Sequence, residues 1–233
     1  MVSIDELIYK FKLKYDKLDS QQRRNLLLPQ IILYLNEGIL KRILEKYGPK
    51  EGGFEITQKR TQDLQKLVIQ NEELSVTEID KYTYSSNLLS LTEKFLFPVR
   101  SRTIASKGNC KEITLYNIDV THNDFNYIIN DPYQNPNFEW RETIVTYASD
   151  NMYTYSDGTF TIDKVKLDYM RYPKQVDKAG YTHFDGSLSA NVDFELPDYL
   201  ADECVDMAVY LASGSIANPT QMQISETNIQ KAE

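Results

Sequence analysis

The sequence predicts an α+β protein in which helices from the two ends of the chain form one helical domain and a β-rich antiparallel domain is inserted between them. Three observations carry this. Apolar residues recur at helical spacing through roughly the first 70 residues. From about residue 71 to about residue 195 the chain turns to Tyr, Thr, Val, Ile and Phe, the residues that suit a pleated, half-buried surface. Within 163–214 the apolar period changes from two to 3.6 in one place, which marks the return from sheet to helix. The resulting division is 1–70 helical, 71–195 β-rich insertion, 196–214 closing helix and 215–233 C-terminal arm.

Ser3-Ile4-Asp5-Glu6 has capping-box spacing, and Ile4, Leu7, Ile8, Phe11, Tyr15 and Leu18 follow on one helical face, so a first helix is expected to reach about Asp19. Residues 20–25 are a polar connection. Pro29 suits the first turn of a second helix, whose stripe is Ile32, Leu35, Ile39, Ile43 and Tyr47 and which Gly48-Pro49 ends. Gly52-Gly53 marks a turn, after which Thr57 can cap a third helix carrying Leu64, Leu67 and Val68. Three such stripes need a further helix to cover them, and the one opening at Pro197 has the right face.

In the middle, strands are expected at 81–84, 95–103, 111–120, 143–148, 152–155, 159–162 and 164–171. Ser156-Asp157-Gly158-Thr159 is the strongest turn signal, because Asp-Gly supplies the positive φ of a tight hairpin, and its flanks read as two paired strands. Thr121 or Asn123 can cap a short helix through Ile129. Asp131-Pro132 and Asn135-Pro136 return the chain to loop. Seven short strands suggest a small antiparallel sheet or a barrel-like insertion.

Val165, Leu167 and Tyr169 alternate with Lys164, Lys166 and Asp168 as in a half-buried strand, and Tyr172-Pro173 stops it. Leu196-Pro197-Asp198 then opens a helix with Leu200, Val205, Ala208, Val209 and Ala212 on one face and Gly214 as its cap. After Asn218-Pro219 the tail is polar, with only Met222, Ile224 and Ile229 large and apolar. It reads either as an arm that orders on a neighbour or as a frayed terminus.

Tyr169-x-Arg171-x-Pro173 ending a strand, followed by Leu196-Pro197-Asp198 opening an Ala-rich helix, resembles the head-to-tail connector proteins of tailed bacteriophages. Across nearly its full length the chain is most similar to the ring proteins of crAss-like, short-tailed phages. The run 7–48, the later FEITQKRTQDLQKLV, the DPYQNP turn and the final SETNIQKAE fit that pattern. The middle segment is longer than in the simplest short-tailed-phage adaptors. The resemblance implies a connector-like helical domain and a structural virion protein without catalytic chemistry or cofactors. It implies a homo-oligomeric ring of twelve copies between the portal protein and further tail proteins. It further implies that viral DNA passes through without sequence-specific binding, that the C-terminal arm reaches the portal, and that the site of action is the neck of the virion after assembly in the host cytoplasm.

The bulk properties agree with an ordinary folded chain. Its 233 residues are 41% hydrophobic and 26% charged, enough to bury a core. Asp and Glu number 34 against 26 Lys and Arg, a formal charge of −8 that disfavours a phosphate-binding surface. An acidic surplus can line a channel past which DNA slides, or it can simply keep a surface solvated. Cys110 and Cys204 are far apart in unlike contexts, so no disulfide framework is indicated. No apolar run approaches the ~20 residues of a membrane span, and the first 15 residues interleave charge with apolar side chains, unlike a signal peptide.

Residues able to carry chemistry are few and scattered. His122 and His183 lie in different segments. His183 with Asp177 and Asp185 is the nearest approach to a metal set, and loop polarity explains it better, since metal sites need three or four converging ligands. Glu72-Glu73 and Asp202-Glu203 serve acid–base work only if paired in a cleft. Ser213-Gly214 lacks the strand-to-helix elbow of a serine hydrolase. No catalytic, cofactor or metal residue is therefore assigned. A second function class comes from 17 Tyr and 9 Phe, many on expected strands: a β-rich carbohydrate- or receptor-binding tail module that stacks ligands on aromatic platforms.

Overall fold

The computed structural model describes residues 2–15, 26–47 and 62–215, with Gln223 and Thr227. The chain is mixed α+β and divides into two compact units, Met1–Lys66 with Pro173–Glu233, and Leu67–Tyr172. Among the described residues, no helix is long and apolar enough to cross a membrane.

The first unit is helical. Helix α1 (Ile4–Tyr15) buries Ile4, Leu7, Ile8, Phe11 and Tyr15. Half of the expected capping box forms: the Glu6 amide donates to Ser3 Oγ at 3.3 Å, whereas the Glu6 carboxylate turns along the helix to Lys10 at 3.1 Å. Helix α2 (Leu28–Tyr47) buries Ile31, Ile32, Leu35, Ile39 and Ile43. Before the last helix, a 3-10 turn at Asp198–Leu200 follows Pro197.

The expected stops at Gly48-Pro49, the Gly52-Gly53 turn, the Thr57 cap, Leu18 and the C-terminal arm lie outside the described residues. What is described of the third helix ends as a 3-10 turn at Gln65–Leu67, and Val68 already begins a strand. Val68 and Ile69 are β-branched, and pairing opposite Met170 and Tyr169 outweighs their helical spacing from Leu64.

Residues 173–195, expected to belong to the insertion, group with the helices. Hydrogen bonds explain it. Asn36 on α2 clamps Val176 in both directions, donating to its carbonyl at 3.0 Å and accepting from its amide at 2.8 Å. Further along, the Phe194 amide donates to the Val2 carbonyl at 3.3 Å.

The second unit is an eight-stranded curled sheet. Its strands are β1 (Val68–Ser75), β2 (Thr77–Glu78), β3 (Thr83–Asn87), β4 (Phe95–Lys107), β5 (Cys110–Asp119), β6 (Glu142–Ala148), β7 (Asn151–Tyr155) and β8 (Thr161–Arg171), in the order β1-β8-β4-β5-β6-β7-β3-β2. Leu74, Tyr84, Leu115, Val145, Val165 and Tyr169 share its core.

Three expectations change here. The sheet is not wholly antiparallel, because β5 and β6 pair in parallel. That pairing needs a crossover, supplied by helix α3 (His122–Ile128) and the loop after it. Phe125 of α3 packs on Tyr155 with the rings tilted and 4.4 Å between centroids, and β6 buries consecutive residues 143–146, the signature of a strand covered on both faces.

The Asp157-Gly158 turn forms, with Gly158 at φ +80°, but its flanks do not pair with each other. β7 lies between β6 and β3, while β8 lies between β4 and β1. The two expected strands on either side of Asp163 are one, because β4 runs long enough to pair with both.

Candidate functional site

Helix α4 (Ala201–Ser215) is the organising element of the helical unit. Ala201, Cys204, Val205, Met207, Ala208, Val209 and Ala212 are all buried. Gly214, expected beyond the last turn, lies inside it, where glycine costs only about 1 kcal/mol.

Opposite α4, helix α2 brings Gly38 so close that a Cβ on it would lie 2.7 Å from Ala208 N and 2.9 Å from Ala208 Cα and the Cys204 carbonyl oxygen. This is a backbone-to-backbone crossing that only glycine permits.

A charged network surrounds that crossing. Glu203 accepts from Arg42 Nε at 3.1 Å and Nη2 at 3.0 Å, and Lys46 Nζ lies 3.1 Å away. Lys46 also reaches Asp63 at 2.8 Å, and Asp63, fully buried, accepts from the Tyr199 hydroxyl. Burial disfavours the Arg42 charge, but Glu203 and Glu45 outweigh it and raise its pKa. The Tyr199 hydroxyl is pushed up to about 12 by its bond to Asp63 and by burial.

The expected candidates for chemistry can now be placed. Asp202 and Glu203 point apart, Asp202 to Lys10 at 3.3 Å and Glu203 to Arg42. Glu72 and Glu73 likewise diverge: Glu72 accepts from the Tyr169 hydroxyl at 3.0 Å, and Glu73 meets Lys164 and Lys166, each at 3.1 Å. Ser213 Oγ donates to the Val209 carbonyl at 2.7 Å within its own helix. Cys204 is buried, which pushes its thiol up to about 12, while Cys110 is exposed. His122 Nε2 lies 2.9 Å from the Tyr147 carbonyl oxygen.

His183 and Asp177 do come together, with Nε2 3.1 Å from Oδ2, but Asp185 turns away to the Ser187 hydroxyl at 2.6 Å. Among the described residues, no group of three or more His, Cys, Asp or Glu is arranged to hold a metal ion.

Asp177 is instead the hub of the 173–196 segment. It accepts from the Tyr181 hydroxyl at 2.6 Å, the Lys178 amide at 2.8 Å and the Ala190 amide at 3.1 Å. Burial pushes its pKa up, and these bonds outweigh burial and hold it below the usual carboxylate range. The segment reverses at a mid-segment turn that leaves Phe184 and Leu188 in solvent.

Asp168 plays the same part in the sheet. It accepts from Arg100 at 2.9 and 2.6 Å and from the Asn71 amide at 2.6 Å, which holds Asn71 at φ +58° in the bulge of β1. Here too burial raises the pKa, and the Asn71 and Arg100 bonds more than reverse it.

A carboxyl whose folded pKa is depressed contributes stability above its unfolded value, near 3.9, and loses it as pH falls through the folded one. Acidification below about pH 4 is therefore expected to lower the thermal midpoint. Asp168→Asn should flatten that acid limb. An acid limb identical to wild type in circular-dichroism melts would reject Asp168 as a contributor.

Sequence reasoning did not find Gly38, the partners of Asp63, or a second apolar row on α2. The row was readable: Leu33, Leu40 and Leu44 recur at helical spacing away from the buried stripe. In the β unit Tyr116, Tyr127, Tyr133 and Trp140 are exposed. The arrangement therefore offers apolar and aromatic surface, with its buried charges committed to structure. No protein-family model matches this chain, and no curated protein matches it.

Proposed function

We propose that this protein is a structural subunit of a phage neck, a head-to-tail connector whose copies form a closed ring, twelve by the resemblance, between the portal protein and further tail proteins. The observation that carries the reading is the placement of the two resembling motifs. Tyr169, Arg171 and Pro173 stand where β8 ends, Leu196, Pro197 and Asp198 where the closing helix opens, and the helices of both chain ends share one unit, with the sheet inserted between them in sequence.

In this reading the chain works by contact, with no bond made or broken, and large permanent interfaces on the order of 2,000 Å² hold the ring. Its acidic surplus keeps DNA moving past the channel wall.

The test is composition. Purified virions should contain the chain at a fixed ratio to portal, and recombinant chain should co-sediment with portal protein. Absence from virions would reject the connector role. Removing Thr220 to Glu233 should leave a folded subunit that no longer docks on the portal, and retained docking would reject the arm.

The exposed Tyr116, Tyr127, Tyr133 and Trp140 favour a second reading, a carbohydrate- or receptor-binding tail module. A glycan array separates the two: the connector reading expects no saturable binding.

A further inference from the structure

We infer that one copy of this chain docks on the next through two different helix faces, the outer row of α1 against the outer row of α2. The inference rests on the ring reading above and names the surfaces that close it.

Helix α4 has α1 on one flank, where Lys10 meets Asp202 at 3.3 Å and Lys14 meets Asp206 at 2.9 Å, and α2 on another, where Gly38 and Arg42 meet it. Each flanking helix spends its buried stripe on the unit's own core and still carries large apolar residues outward. On α1, Tyr9 is 65% exposed and Leu13 46%. On α2, Leu33 is 56% and Leu44 42% exposed, with half-buried Leu40 between them. The spacings match, i and i+4 on α1 against 33, 37, 40 and 44 on α2, so each row forms one ridge.

Charge selects the pairing. Lys12 is the exposed cation beside Tyr9 and Leu13, and Glu37 is the exposed anion between Leu33 and Leu40. The other charges near these rows are engaged within the unit: Asp5 with Lys178 at 2.8 Å, Glu6 with Lys10 at 3.1 Å, Glu45 with Arg42 at 3.2 Å, and Lys41 over the Tyr210 ring at 5.1 Å.

An α1–α1 contact would set Lys12 against Lys12, and an α2–α2 contact Glu37 against Glu37. The unlike pairing sets cation against anion. A contact between two different faces is heterologous, and repeated by rotation it closes a ring rather than a two-fold dimer.

The test uses the full-length chain with Cys110→Ser and a short bis-maleimide crosslinker. Leu13→Cys together with Leu44→Cys should give a covalent ladder up to the closed oligomer, and each single variant should give none. Dimers from Leu13→Cys alone or Leu44→Cys alone would mean a two-fold contact and overturn the inference.

Lys12→Glu should weaken self-association about tenfold, and adding Glu37→Lys should restore it. Rings that form without the 13–44 crosslink and ignore the charge swap would overturn these surfaces and leave the ring reading standing. A wild-type chain that never self-associates would remove both.

Discussion

Gly38→Ala is expected to destabilise the helical unit, although alanine is the better helix former. Two effects compete at this position. In an exposed helix interior alanine would gain about 1 kcal/mol over glycine. Against that, the new methyl would sit 2.7 Å from Ala208 N and 2.9 Å from both Ala208 Cα and the Cys204 carbonyl. All three are backbone atoms of α4, so none can rotate away, and relief requires the two helices to separate along their whole crossing. Overpacking of this kind costs about 1–3 kcal/mol and sometimes more, and the rigidity of the neighbours places Gly38 at the upper end. The net effect should be a loss near 2 kcal/mol for alanine and a larger one for Gly38→Val. Each kilocalorie lowers the midpoint of a chain this size by roughly 2–4 °C. An unchanged or raised midpoint for Gly38→Ala would show that the α2–α4 crossing is looser than described.

The second large effect is expected at Glu203. Its carboxylate holds Arg42 by two bonds and Lys46 by one, and the Arg42 side chain is only 5% exposed. Glu203→Leu takes from that guanidinium the carboxylate that holds it by two bonds, a nearly buried cation deprived of its main partner, at a cost of about 3–5 kcal/mol. Replacing both partners by apolar groups, Arg42→Met with Glu203→Leu, removes the orphaned charge and should recover most of the loss. Lys46 keeps Asp63 in both variants, so the remainder of the network is a constant background. Urea melts of the wild type, the two single variants and the double variant form a cycle. The expected signature is a double variant more stable than Glu203→Leu alone. Additive losses would mean that the two residues act independently.

How much of this was legible in the sequence follows from what each feature depends on. Helices α1, α2 and α4 were readable because an amphipathic stripe is a local pattern: Leu7, Phe11 and Tyr15, or Val205, Ala208 and Ala212, mark their buried faces without knowledge of the partner. Strands β4 to β7 were readable from composition, as runs of Tyr, Thr, Val, Ile and Phe bounded by turn residues. Pairing was not. Asp157-Gly158 announces a turn, yet whether β7 then pairs with β8 depends on β3 and β4, far away in sequence. The 62–69 stretch shows the same limit, because the choice between helix and strand for Val68 is made by β8, about a hundred residues later.

Interaction features divide in the same way. The divergence of Glu72 and Glu73 follows from β1, which the sequence reading did not expect at 68–75, since neighbours on a strand face opposite sides. The exposed row on α2 was present in the spacing of Leu33, Leu40 and Leu44. Asp177 could not be singled out as a hub, because its partners Tyr181, His183 and Ala190 meet only when the 173–196 segment folds back on itself. Gly38 was silent: a glycine within a helical pattern reads as tolerated until the opposing backbone is seen.

The most direct test of the account is the mass of the full-length chain in solution, by mass photometry across a concentration series and again with portal protein added. Assembly into a ring predicts a discrete closed species at twelve times the 27.1 kDa subunit, without a ladder of open intermediates at saturation. A single 27.1 kDa species at every concentration, with portal present as well as absent, would contradict it.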